Sequence, residues 1–112
     1  MRERTIEAKL GKEVRALGCL YYKFVSPGNA GVPDRIIVTP RGGVFFVELK
    51  REDGEVSRQQ AWQIKRLRNH KCRVRVVYGM EDVKHLTTEL RKEAEIGVHT
   101  SRVSEKNHPD DP

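Results

Sequence analysis

The sequence predicts an α/β fold in which a mixed four-stranded sheet is flanked by helices. Three observations carry this. A 3.6-residue apolar period occupies the first seventeen residues and returns twice later. Between these helical stretches lie short runs rich in β-formers, CLYYKFV, RIIVT, VFFVEL and RVRVVY. The last two runs are separated by a helical segment, the spacing of a βαβ crossover, which makes the fourth strand parallel to the third.

In order, Ile6, Leu10, Val14 and Leu17 form one stripe of a helix over residues 5–17, with Thr5 as a candidate cap and Gly18 as its stop. Residues 19–25 follow as a strand. The turn-rich SPGNAGVP of residues 26–33 is a loop. Residues 35–39 and 44–49 are strands joined by Pro40-Arg41-Gly42-Gly43, which reads as a hairpin turn. Ser57 opens a second helix to about Asn69, with Ala61, Ile64 and Leu67 facing inward. Residues 73–78 are the fourth strand, with Val74, Val76 and Val77 as its apolar content. Glu81 and Asp82 suit the dipole at the start of a third helix, whose inner face is Val83, Leu86 and Leu90. The expected domain is residues 1–96, and 97–112 is expected to be a flexible tail, since no periodicity is visible there.

A chain of 112 residues has material for one core. Its 37% hydrophobic content is clustered enough to argue against general disorder, and no apolar stretch is long enough for a membrane span. The N-terminus has no apolar signal core, so a cytoplasmic location is expected. Cys19 and Cys72 read as buried free thiols, and with the scattered histidines they show no zinc spacing. The net charge of +6 favours an anionic partner.

The informative segment is Gly31-Val32-Pro33-Asp34, then thirteen intervening residues, then Glu48-Leu49-Lys50. On the expected hairpin, Asp34 starts one strand and Glu48 and Lys50 end its antiparallel partner, so all three reach one edge of the sheet. Glu48 and Lys50 share a face because they are two apart. Two carboxylates with the Leu49 carbonyl and waters form the hard-oxygen set that Mg²⁺ accepts. Lys50 would add positive charge beside the metal. Taken singly, each residue reads as ordinary strand-edge polarity, a solvated acid or a surface ion pair. Their placement directly after VFFV, the most apolar strand, and behind a stiff Gly-x-Pro favours a site.

Pro33-Asp34 with Glu48-Leu49-Lys50 resembles the motif of the PD-(D/E)xK nuclease superfamily. The wider pattern, KFVSPGNAGVPDR then FFVELK then Gln60, resembles its VRR-NUC family. The resemblance covers residues 3 to 78. It implies a restriction-endonuclease-like αβββαβ core and a divalent-metal-dependent DNA endonuclease, with Mg²⁺ as cofactor and Mn²⁺ able to substitute. It also implies branched DNA as substrate, a homodimer and a phage-type stand-alone enzyme acting in the host cytoplasm. A non-catalytic DNA-binding module on the same fold is the alternative.

Two further residues carry over from the resemblance. Gln60 matches the family's glutamine at the start of helix two, although Ser57-Arg58-Gln59-Gln60 also reads as a capping box; Gln59 is the less favoured match. Glu7 matches the first-helix glutamate that ligates or orients metal, with Glu3 and Glu13 as neighbours on the same helix. Candidate DNA contacts are Lys23, Ser26, Asn29, Arg35, Arg51 and Arg58, with Lys65, Arg66, Arg68, Lys71, Arg73 and Arg75 as further basic residues. Trp62 breaks the inner stripe of helix two, and packing in the core or in an interface is favoured over stacking on DNA.

Overall fold

In a computed structural model the backbone is described for residues 1–106 and the side chains for residues 1–95. Helix α1 spans Glu3–Ala16, strands β1, β2 and β3 span Leu20–Lys23, Arg35–Val38 and Val44–Lys50, and helix α2 spans Arg58–Asn69. Strand β4 is Arg73–Tyr78 and helix α3 is Gly79–Lys106. The helix therefore continues ten residues past the boundary expected at residue 96, and the rest of the expected tail, 107–112, lies outside the described residues. Among the described residues, no helix is long and apolar enough to cross a membrane.

The strands lie in the order β1-β2-β3-β4. The first three form an antiparallel meander, and β4 runs parallel to β3 through the α2 crossover. Alternation along β3 explains the layering: Phe45, Val47 and Leu49 point to one face, where they meet Ile6, Leu10 and Val14 of α1 and Val83, Leu86 and Leu90 of α3. Glu48 and Lys50 point to the other face, which α2 covers with Ile64.

Helix ends follow local chemistry. The start of α1 has no side-chain cap; Arg2 is at the N-cap, and Thr5 lies inside the helix because the Arg2 carbonyl accepts from the amides of Thr5 and Ile6. At its end, Gly18 takes φ +82°, with the Gly18 amide donating to the Arg15 carbonyl and the Cys19 amide to that of Val14, a Schellman closure. The same pair of bonds closes α2, but there Lys71 occupies the left-handed position, at φ 68°. Helix α3 starts with the Asp82 carboxylate accepting from the Tyr78 amide at 2.8 Å.

Three expectations change. Ala61 is exposed, and Gln63 is buried in its place because its amide donates to the Ala30 carbonyl in the 26–33 loop. Trp62 is 55% exposed and belongs to no core. Of the two free cysteines, Cys19 is buried and Cys72 only half-buried.

Candidate active site

The hairpin register pairs Arg35 with Val47, so one step further puts Asp34 across from Glu48. Two features fix Asp34. Its carbonyl accepts from the Phe24 amide at 2.7 Å, which ties it to the end of β1. The preceding loop is pinned at Gly31, which has φ +90°; a Cβ there would lie 2.9 Å from the Gln59 carbonyl oxygen of α2, so only glycine fits so close an approach. Pro33 behind it is fully buried.

Glu48 is 2% exposed, unusual for a carboxylate. Its Oε2 accepts from Gln60 Nε2 at 3.1 Å and lies 3.6 Å from Lys50 Nζ. Its Oε1 is buried with no partner. Burial first, and the neighbouring Asp34 carboxylate second, push its pKa up to about 7, while Lys50 pulls the other way. A buried acid oxygen without a donor costs stability unless a cation or proton satisfies it.

Gln60 performs both functions considered for it. The Ser57 amide donates to Gln60 Oε1 at 2.9 Å, and the Gln60 amide donates to Ser57 Oγ at 3.1 Å, a complete capping box. Because Oε1 is taken by a donor, the Nε2 end must face Glu48. The cap thus sets the orientation of the carboxamide at the site.

Next to this cluster lies a cavity of about 260 Å³ lined by Glu3, Arg4, Glu7, Lys23, Asp34, Arg35 and Leu49. Asp34 is the link: it opens into the cavity and is close enough to Glu48 to act on its titration. Glu48, Lys50 and Gln60 stand behind it and do not line the cavity. Glu7 does line it, but its carboxylate is held by Arg35 at 2.5 Å. Arg35 also lies over the Tyr21 ring, 5.4 Å from its centroid, and its Nε is buried without a partner. Glu3 lines the cavity rim, whereas Glu13 pairs with Lys9.

Among the described residues no three His, Cys, Asp or Glu side chains converge as a preformed metal cage. Mg²⁺ does not need one: it keeps several waters and takes one or two carboxylates. The open valence at Glu48 Oε1, the facing Asp34 and the intervening Leu49 backbone form a donor set that fits such a cation.

The remaining basic residues sort into spent and available. Arg73 and Arg75 each make paired hydrogen bonds to a carboxylate on α3, Glu93 and Glu89 respectively, and Arg68 donates to the Val74 carbonyl. Arg51 lies 3.5 Å from Asp53 with both side chains exposed, so it stays accessible, and in the neighbouring loop the Asn29 amide donates to Ser26 Oγ at the surface. Lys23 lies at the cavity, and Arg58 and Lys65 are exposed. The pairing of β4 with α3 spans 14 and 20 residues and has no local sequence signal.

A mixed sheet carrying Asp, Glu-x-Lys and a helix-borne Gln at one edge defines a nuclease-type domain. The family model for the VRR-NUC domain matches residues 3–81, and the chain belongs to that family. A solved structure described as a VRR_NUC domain is similar with a TM-score of 0.72 and 30% identity, covering 75% of this chain and 91% of that one. A protein of Acyrthosiphon pisum secondary endosymbiont phage 1 named "Putative nuclease p44" is 54% identical over 50 residues, which is 45% of this chain. The match spans 54%, about half, of that relative's length.

Proposed function

We propose that this nuclease-family chain hydrolyses phosphodiester bonds of DNA with a divalent cation, Mg²⁺ or Mn²⁺, held by Asp34, Glu48 and the Leu49 carbonyl. The observation that carries the reading is the buried, unpartnered Oε1 of Glu48, a residue whose side chain has the Asp34 carboxylate for a neighbour. A cation bound there would polarise a phosphoryl oxygen and lower the pKa of a water nucleophile. The chain's own residues do the rest. Lys50 holds a positive charge 3.6 Å from Glu48, suited to the charge that develops at phosphorus. Gln60 keeps the Glu48 carboxylate in one orientation. Glu7, now paired with Arg35, would be able to join the ligand set of a bound cation, and Arg35 would then be free to meet a phosphate.

DNA approaches the cavity over Lys23, the Ser26–Asn29 loop, Arg51 and Arg58. Branched DNA such as a four-way junction, cut by a homodimer, is the substrate class we favour. One small protomer offers one site, and a twofold pair offers two with a wide basic face. The enzyme would act in the cytoplasm, that of the host if phage-encoded.

Cleavage of labelled linear duplex, single strand, flap and four-way junction, with Mg²⁺, Mn²⁺ or EDTA, tests this. Metal-dependent cutting that is lost in Asp34→Ala supports it, and the preferred substrate identifies the class. Binding without cutting in any metal would leave a DNA-binding module. Sedimentation at micromolar concentration tests the dimer, and a monomer there would remove it.

A further inference from the structure

We propose that the outer face of α2 is a stacking platform for an unpaired nucleotide, with the Trp62 indole as the stacking surface and Arg58, Lys65 and Arg66 as phosphate contacts. It rests on the DNA-directed reading above but not on cleavage.

Trp62 lies roughly 200° around the helix from Gln60. Gln60 faces Glu48, so Trp62 faces directly away from the sheet. Arg58, Lys65, Arg66 and Asn69 share that outward arc, and all are exposed. The helix RQQAWQIKRLRN contains four basic residues and no acid. Arg68 is spent on the Val74 carbonyl. Arg58, Lys65 and Arg66 have no carboxylate partner among the described residues, in contrast to Arg73 and Arg75 on the adjacent strand.

A large aromatic left 55% exposed at mid-helix adds nothing to the core. Its neighbours on the arc are all polar or charged, so it is not part of an apolar patch of the kind a protein partner covers. An isolated ring within unpaired positive charge is complementary to a polyanion that carries flat apolar groups. The Arg66 guanidinium sits 4.6 Å from the ring centroid, which braces the indole and puts a phosphate-binding charge beside it. Stacking ring plus basic track is the physical basis of single-strand binding. Bases inside an intact duplex are already stacked on one another and offer no face to the ring. The platform therefore recognises gaps, flaps and junction centres in preference to continuous duplex.

Trp62 is the only tryptophan in the chain, so tryptophan-selective fluorescence, excited beyond the tyrosine absorption, reports on it alone. The full chain in EDTA, which prevents cutting, is titrated with a single-stranded oligonucleotide, a blunt duplex and the same duplex with an internal gap, with anisotropy of the labelled DNA read in parallel. Saturable quenching by single-stranded and gapped DNA, and little by the blunt duplex, is expected. Trp62→Ala should weaken gapped-DNA binding by about 5- to 150-fold, the range for loss of one stacked base, with blunt-duplex affinity changed less than about threefold. Trp62→Phe should restore most of the preference. Binding without quenching, equal quenching by blunt duplex, or equal loss of affinity on both DNAs would overturn the proposal. So would a DNA-free emission shift that tracks protein concentration, which would put the ring between two copies of the chain. Quenching without cleavage under any metal sinks the nuclease reading and leaves this one standing; cleavage without quenching does the reverse.

Discussion

Two clusters of charge flank the sheet and are built in opposite ways. Where β4 meets α3, Arg75 and Glu89 form paired hydrogen bonds, and each stabilises the charge of the other: the Arg75 pKa is raised and that of Glu89 lowered, chiefly by that contact. Every formal charge has a partner, and the cluster is a clamp. At the end of β3, Glu48 is more deeply buried, yet one oxygen is unpartnered and its pKa is raised to about 7. Satisfied pairs hold a fold together. An unsatisfied buried acid next to a second acid has the chemistry to receive positive charge, and the fold tolerates its cost.

The sharpest way to break this comparison is Glu48→Gln. It should abolish cleavage, by more than about a thousandfold for loss of a metal ligand. Measured in EDTA at pH 8, the same change should raise stability by roughly 1–3 kcal/mol, because it removes an ionised group from a poor environment. A loss of metal-free stability would mean that Glu48 is a structural ion-pair member like Glu89. Lys50→Ala comes next, with cleavage down by about a hundredfold or more while melting and DNA binding are kept. Cleavage at the wild-type rate would take Lys50 out of the mechanism.

The pH dependence has a definite sign. The folded pKa of Glu48 lies above the unfolded value of 4.5, so the folded state binds the proton more tightly. Its contribution to stability is full below that value and is lost as pH rises through about 7. Glu89 and Glu13 have lowered values and act in the opposite direction, at more acid pH. The metal-free melting temperature should therefore fall between about pH 5 and 7 and level off above that, and Glu48→Gln should flatten that slope. A flat wild-type profile would contradict the raised value.

Smaller effects sharpen the other side. Glu89→Ala should cost about 0.2–1 kcal/mol by denaturant titration, since the pair is partly solvated, and leave turnover per folded molecule unchanged. Lys71→Gly should stabilise by about 0.5–1 kcal/mol, because it relieves a left-handed backbone at the end of α2 that glycine already occupies at the end of α1.

Residues close in sequence announced the fold and the juxtaposition on which the candidate site is proposed. The alternation in VFFVEL and RVRVVY, the Ser57–Gln60 box and the hairpin turn are local signals, and together they bring Asp34 opposite Glu48. What stayed hidden depends on distant partners. Nothing near Arg73 or Arg75 indicates that α3 supplies their carboxylates, so they read as DNA contacts. Glu7 and Arg35 were expected to serve a metal and DNA separately, whereas they hold each other. The apolar period puts Ala61 inside, but Ala61 is exposed and Gln63 is buried, its amide donating to the Ala30 carbonyl of a loop distant in sequence.

The two-sided role of Gln60 has a further consequence. Fraying of the first turn of α2 and loss of the glutamine that steadies Glu48 are the same event, because one carboxamide serves both. Opening of a helix terminus is cheaper than global unfolding. As temperature or denaturant rises, the proposed active centre should therefore come apart while the sheet behind it is still intact, and any activity that depends on it would fail before the fold does.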